Sequence, residues 1–160
     1  MELVIVGFGR VGRRTARTLG SEGHDVVIVE RDAARADRAR EDGFAVVTGD
    51  GADEAVLAEA GLDDADAVAG LTGDVNTNYS ACLVAAGRGC RTVLRVGEDL
   101  SDELYERYAG DVDEIIYPER LGAGGAQTAL MGGGFNVIAD LTEHPPLASV
   151  TIPACPPALA

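Results

Sequence analysis

A short apolar run, Glu2-Leu3-Val4-Ile5-Val6, passes without a gap into Gly7-Phe8-Gly9-Arg10-Val11-Gly12. A strand feeding a GxGxxG turn admits few folds, because each glycine answers a separate steric demand. Gly7 permits the tight turn, Gly9 keeps side chains away from an approaching pyrophosphate, and Gly12 lets the next helix lie close to the strand. The N–H groups opening that helix, at its positive dipole end, form an anion site. Alone the motif is weak, since glycines also serve ordinary turns. A second apolar run, Val26-Val27-Ile28-Val29, ends in Glu30, eighteen residues past Gly12. An acid there accepts hydrogen bonds from a ribose diol.

Strand and helix signals then alternate with short breaks to about residue 131, the pattern of a parallel sheet covered on both faces. The spacing predicts strands near 2–6, 25–30, 45–48, 66–71, 91–96 and 113–117, and helices near 10–21, 32–42, 53–60, 75–88 and 99–109. Gly43, Gly61, Gly89 and Gly110 read as helix ends. The expected fold is α/β, a doubly wound Rossmann-type parallel sheet of about six strands with helices on both faces. After Pro118-Glu119 a further helix is expected through Leu121 to Met131, ended by Gly132-Gly133-Gly134. Gly122, Gly124 and Gly125 each weaken that helix by roughly 1 kcal/mol relative to alanine. Such a helix needs a partner, most simply a second copy of the chain. Residues 1–131 form the expected domain, and 132–160 read as linker and remnant, with Pro153, Pro156 and Pro157 marking a poorly ordered end.

At 160 residues and 46% apolar, the chain suffices for one domain with a proper core. No uninterrupted apolar stretch of about 18 residues exists and the chain enters a strand directly, so a cytosolic protein without span or signal peptide is expected. Cys82, Cys90 and Cys155 lack CxxC spacing, which argues against a disulfide framework or a zinc site, and Cys82 is expected to pack inside a helix. The 27 acids face 13 bases, every base is arginine, and the net charge of −14 repels nucleic acid and anionic membranes. Such a surface suits a salt-loving organism, while a high-GC genome that favours arginine codons accounts for it equally well.

Without lysine there is no Schiff base, no P-loop lysine and no Tyr-x-x-x-Lys pair. His24 sits in a turn at the sheet end away from the ligand crevice, and His144 lies beside Pro145 in the tail. With no GxSxG elbow and no clustered metal ligands, the chain reads as a binder, with no catalytic and no metal residues.

The carboxyl ends of the strands line up as a nucleotide site. The third is followed by Thr48-Gly49-Asp50-Gly51-Ala52-Asp53, where Asp50 suits an adenine amino group and Asp53 caps the next helix. The fourth ends at Leu71-Thr72-Gly73-Asp74, a loop whose backbone and Thr72 hydroxyl border the adenosine. Asn76 and Asn78 follow, each either capping or binding something. Arg95, inside the apolar fifth strand, points to a phosphate or to a buried carboxylate, and phosphate is preferred. Arg10 and Arg13 flank the glycine loop and are placed to cover phosphates, while Arg13, Arg14 and Arg17 also read as including a solvated helix face. Glu30 argues against a ribose 2′-phosphate by repulsion, while Arg31 beside it keeps one admissible.

Taken in order, Val6-Gly7-Phe8-Gly9-Arg10-Val11-Gly12, Val29-Glu30-Arg31-Asp32, Thr48 to Asp53, Ala60-Gly61-Leu62-Asp63-Asp64-Ala65-Asp66-Ala67-Val68, Thr77-Asn78, Arg95-Val96 and Tyr117-Pro118-Glu119-Arg120 are quite specific. The chain, over residues 1 to about 121, resembles the N-terminal domain of the regulators of potassium conductance, the nucleotide-binding domain found in Trk-type potassium uptake regulators. The resemblance implies a cytoplasmic subunit, peripheral to the membrane through its partner, that binds NAD(H) or ATP/ADP. It would form homodimers that assemble into a ring and gate a membrane potassium transporter or channel. By the same resemblance Glu30 holds ribose, Asp50 adenine and Arg95 phosphate or ribose, while Glu119 senses the ligand across the subunit boundary.

Gly51 and Ala52 stand where the family more often has alanine and threonine, which is expected to loosen the adenine side. The loop Gly73-Asp74-Val75-Asn76 carries fewer acids than usual. The family's second domain is missing, and Phe135 to Ile152 resembles the approach to it, so the chain end is either cut short or divergent. One rival reading is the NAD-binding domain of a truncated oxidoreductase, which explains neither Arg95 nor the helix start at Pro118-Glu119. Another is a redox or energy sensor without a membrane partner.

Overall fold

The computed structural model describes residues 1–97 and 101–131. Among these, six strands are β1 (Glu2–Val6), β2 (Asp25–Glu30), β3 (Ala45–Thr48), β4 (Ala67–Gly70), β5 (Arg91–Arg95) and β6 (Glu114–Ile116). They alternate with helices α1 (Arg10–Ser21), α2 (Ala33–Glu41), α3 (Glu54–Glu59), α4 (Val75–Ala86) and α5 (Asp102–Asp111), and α6 (Pro118–Leu130) comes last. A short 3-10 turn, Leu62–Asp64, follows α3 and had no counterpart among the expected elements. The strands form one sheet in the order β3-β2-β1-β4-β5-β6, and every neighbouring pair is parallel. The expected doubly wound α/β fold is the one observed. Its strand order reverses between β1 and β4, where their carboxyl ends leave a crevice.

The first strand shows why its sequence is apolar throughout rather than alternating. Leu3 and Ile5 enter a core with Ala16, Ile28 and Ala39, while Val4 and Val6 enter a second core with Leu57, Leu62, Val68 and Ala81. Helices cover both faces, so Leu3 to Val6 of the central strand are all buried. The helix starts follow their caps: Asp32 accepts from Arg35 N, Asp53 from Ala55 N and Asp74 from Asn76 N. The expected start of α5 at 99 moves to 102 because Ser101 is the capping residue, its hydroxyl accepting from Leu104 N at 3.4 Å. Gly110, expected to end α5, lies inside it. Helix α6 begins at Pro118, at the helix start expected there, since proline, which has no N–H to leave unsatisfied, suits the first helical position.

Two compact units divide the chain, Met1–Pro118 and Glu119–Ala160. The described part of the second is helical, and the expectations for 132–160, including His144 and Cys155, lie outside the described residues.

In the first unit α1 is tied to the end of α2 by Asp42, whose carboxylate takes Arg13 Nε at 2.9 Å and Arg17 Nη2 at 2.8 Å. Arg13 is therefore committed to this bridge and not to phosphate. Hydrogen bonds from Arg13 and then Arg17 hold the Asp42 pKa down at about 2. A carboxylate depressed in the folded state stabilises fully above its ordinary value of about 3.9 and loses that contribution as pH falls through the folded value. The Asp42→Asn variant is thus expected to be less stable than wild type at pH 6, with the difference shrinking between about pH 4 and about pH 2 in denaturant titrations.

Candidate functional site

A crevice of about 400 Å³ opens at the carboxyl ends of the central strands. The loop from β1 supplies Gly7 and Gly9, the end of β2 supplies Glu30 and Arg31, and the segment after β3 supplies Asp50 and Gly51. Thr72 and Gly73 come from the loop after β4, and Arg95 from the end of β5. Nine of the residues singled out by sequence therefore share one cavity wall.

The glycines differ in what they do. Gly7 has φ +99°, and a Cβ there would sit 2.8 Å from Thr72 Cγ2. A Cβ on Gly12 would lie 1.9 Å from the Gly7 carbonyl oxygen, so Gly12 closes the turn onto itself. A Cβ on Gly9 would meet nothing within 4 Å, so the site faces open space where a pyrophosphate would approach. Gly9 is also the N-cap of α1, and no side chain caps that end. A Cβ on Gly51 would fall 2.1 Å from Val6 Cγ1, so Val6 occupies the space an alanine there would need.

Glu30 is 5% exposed, and each carboxylate oxygen holds a backbone group: Oε2 accepts from Phe8 N at 2.7 Å and Oε1 from Asp32 N at 3.0 Å. The side chain expected to hold ribose thus also fastens the glycine loop to the start of α2. Asp50 is exposed, with Oδ1 accepting from Ala52 N at 3.0 Å, and its other oxygen is open to a ligand.

Asn78 makes no crevice wall. Its amide oxygen accepts from Thr72 N at 2.9 Å and Thr72 Oγ1 at 2.7 Å, and its nitrogen donates to Thr72 O at 3.1 Å and Arg95 O at 3.0 Å. Two acceptor and two donor positions fill the capacity of an amide, so Asn78 positions the Thr72 loop and has nothing left for a nucleotide. The Thr72 hydroxyl turns inward as well, accepting from Asp74 N at 3.1 Å. Arg95 Nη1 donates to Thr72 O at 2.7 Å, which fastens the guanidinium to that loop.

Phe8, Arg10, Val11 and Gly12 also do not line the cavity. Phe8 is buried and packs edge-on against Phe44, with ring centroids 5.9 Å apart, so only its backbone serves the loop. Val11 packs against the core beneath α1, and Arg10 is exposed. Glu119 stands in the first turn of α6, in the second unit.

Of the other lining residues, Arg35 was not singled out at all and Thr77 only as part of the Thr77-Asn78 motif. Each is the third residue of its helix, and helical side chains lean toward the N-terminus, so that position reaches back into the crevice. The signal was present in the caps at Asp32 and Asp74.

The Cys82 thiol lies within α4 and close to Val93 O, and burial pushes its pKa up to about 11, which leaves it a packing group. Among the described residues no three His, Cys, Asp or Glu side chains gather as metal ligands, and no helix is long and apolar enough to cross a membrane.

A family model described as the TrkA-N domain matches residues 3–118. A Trk system potassium uptake protein TrkA homolog of Pyrococcus horikoshii is 36% identical over 147 residues, covering 85% of this chain and 62% of its own length. The chain thus spans less than two thirds of the curated relatives it matches. Among solved structures, a GsuK channel bound to NAD is similar with a TM-score of 0.63 at 25% identity, over 77% of this chain and 22% of that one. The Kef CTD of Shewanella denitrificans in AMP-bound form has a TM-score of 0.67 at 20% identity, over 83% of each chain, a likeness of fold.

Proposed function

This chain belongs to the TrkA-N domain family, and from that premise we propose that it is the adenine-nucleotide-sensing part of a regulator of membrane potassium transport. The observation that carries the reading is the pairing of an open, uncapped glycine loop at Gly9 with Glu30 and Arg95 in one crevice. The loop offers N–H groups to phosphate, Glu30 offers carboxylate lone pairs to ribose, and Arg95 adds a cation held by the Thr72 loop. NAD(H) suits this crevice in view of the GsuK channel bound to NAD, and ATP or ADP would use the same adenosine and phosphate groups. The bound nucleotide supplies no chemistry here; its role is to be held.

The relatives are potassium uptake proteins, so the oxidoreductase reading is not favoured, and the role proposed is regulatory with no turnover. A ligand biases a transporter only by its difference in affinity between two states, and inverting a 1:99 balance takes about 5.5 kcal/mol. Several identical sites share that amount. In this reading α6, entered through Glu119, joins two copies of the chain, and the dimers build a cytoplasmic ring on the partner's inner face.

Calorimetric titration of NADH, NAD, ATP and ADP into the chain in concentrated KCl tests the reading. At least one nucleotide is expected to bind with Kd below about 100 µM, to weaken about tenfold in Arg95→Ala, and to be recovered unchanged. Binding by none of the four would overturn the assignment, and steady conversion of any would restore the enzyme reading.

A further inference from the structure

Thr72 is tied to three separate parts of the crevice. A Cβ on Gly7 would lie 2.8 Å from Thr72 Cγ2, so the threonine rests against the glycine loop. Its N–H and its hydroxyl both donate to the Asn78 amide oxygen. Its carbonyl oxygen accepts from Asn78 Nδ2 at 3.1 Å and from Arg95 Nη1 at 2.7 Å. Asn78 Nδ2 also donates to the backbone carbonyl of Arg95 at 3.0 Å. Arg95 is thereby held at two points: Asn78 takes its carbonyl directly, and the Thr72 carbonyl that Asn78 also holds takes its guanidinium.

An amide is the group that closes this cycle. The cycle needs two hydrogens to give and an oxygen that accepts twice, whereas an ionised aspartate has no hydrogen to give and serine has one. Asn78 is 0% exposed, so a bond lost here is not replaced from solvent. The helix itself does not call for this residue, because Asp74 already caps α4 by accepting from Asn76 N. Room for it comes from Gly70, the last residue of β4, where a Cβ would fall 2.7 Å from Asn78 Cα. That glycine lets the first turn of α4 come down onto the strand end. Gly70 pairs with Leu94, so the exits of β4 and β5, and with them Thr72 and Arg95, lie side by side.

A long side chain that meets an anion must give up its rotamer freedom on binding, and one already held in place escapes that penalty. We propose that Asn78 is a positioning residue for the nucleotide: it touches no ligand atom and strengthens binding by holding Arg95 toward the phosphates before the ligand arrives. The inference rests on the reading of the crevice as a nucleotide site and assigns the residue that prepares its cation.

The test is a double-mutant cycle read by calorimetry with ADP and with NAD, on the wild type, Asn78→Ala, Arg95→Ala and the double variant, each checked for folding by thermal melting. Asn78→Ala is expected to weaken binding about fivefold when Arg95 is present, the effect of releasing one rotamer-rich side chain, and to change it by less than about twofold when Arg95 is absent. An equal loss in both backgrounds would overturn the inference, since a residue that merely supports the fold acts whether or not Arg95 is there. Wild-type affinity in Asn78→Ala would overturn it as well. Should Asn78→Ala fail to fold, side-chain NMR of nitrogen-labelled arginine in the wild type decides, with the Arg95 guanidinium signal identified by its loss in Arg95→Ala. That signal is expected to be restricted before ADP is added and little changed afterwards; a guanidinium that is mobile until ADP binds would overturn the inference while leaving the nucleotide site intact. Failure of the wild type to bind either ligand would remove the site and the inference together.

Discussion

Gly12→Ala is expected to cost the domain about 3 kcal/mol or more, while Gly9→Ala, three residues away, leaves it folded and weakens its nucleotide affinity about 100-fold. The two glycines differ only in what an added methyl group meets. At Gly12 it would lie 1.9 Å from the Gly7 carbonyl oxygen, a backbone atom fixed by the turn, so β1 and α1 must separate. Overpacking of this kind costs about 1–3 kcal/mol where side chains can shift, and more where backbone must. At Gly9 it would meet no protein atom within 4 Å, and φ of −75° suits alanine. The loss there is limited to an N-cap preference of about 1 kcal/mol or less. What Gly9→Ala does fill is the space through which the proposed pyrophosphate approaches, and an affinity loss of about 100-fold is expected, or about 2.7 kcal/mol. Thermal melting and calorimetry on the two variants check the contrast; a stable, non-binding Gly12→Ala would refute this account of the turn.

The second large effect belongs to Glu30, and it divides between stability and binding. Glu30→Ala leaves the Phe8 and Asp32 N–H groups without their acceptors, the first of them fully buried. At about 1–3 kcal/mol for each orphaned group, a loss of about 2–6 kcal/mol is expected before any ligand is added. Glu30→Gln is no milder substitute. Glutamine keeps one acceptor oxygen but turns an amino group toward the other N–H, so one of the two bonds becomes a repulsion. Denaturant midpoints near wild type for Glu30→Gln would show that one of these bonds is dispensable. Nucleotide affinity measured on either variant mixes loop disorder with lost ribose contacts, which is why Gly9 is the cleaner probe of binding.

The fold was legible because hydrophobic runs, caps and glycines all pointed the same way. The spans of the strands and the capping aspartates followed from residues four or fewer apart, a range over which sequence is a direct guide. The site was legible only as far as backbone position determines it. Glu30 and Arg95 fell at strand ends and could be placed on the crevice, but whether their polar atoms face a ligand or the protein depends on partners distant in sequence. Asn78 shows this most clearly: an asparagine in the first turn of a helix signals a cap or a ligand, whereas its four bonds reach Thr72 and the backbone of Arg95. Arg13 gave a similar result, since nothing local marks Asp42 as its partner. Arg35 was missed because the reading of β2 stopped at the strand end, and Thr77 was passed over between Asn76 and Asn78, which drew the attention in the first turn of α4.

The parallel pairing of β1 with β4 has a consequence for how the chain is made. β1, made before the other five strands of its sheet, lies in the middle of that sheet, and its Glu2 N–H is answered by the Asp66 carboxylate, 64 residues later. During translation, at about 5–20 residues per second, β1 can pair with β2 early but carries an open apolar edge for several seconds before β4 emerges. Arg95 joins later still. The emerging chain therefore passes through a stage with one half of its sheet and no crevice, when it is most exposed to edge-to-edge association and no nucleotide can rescue it.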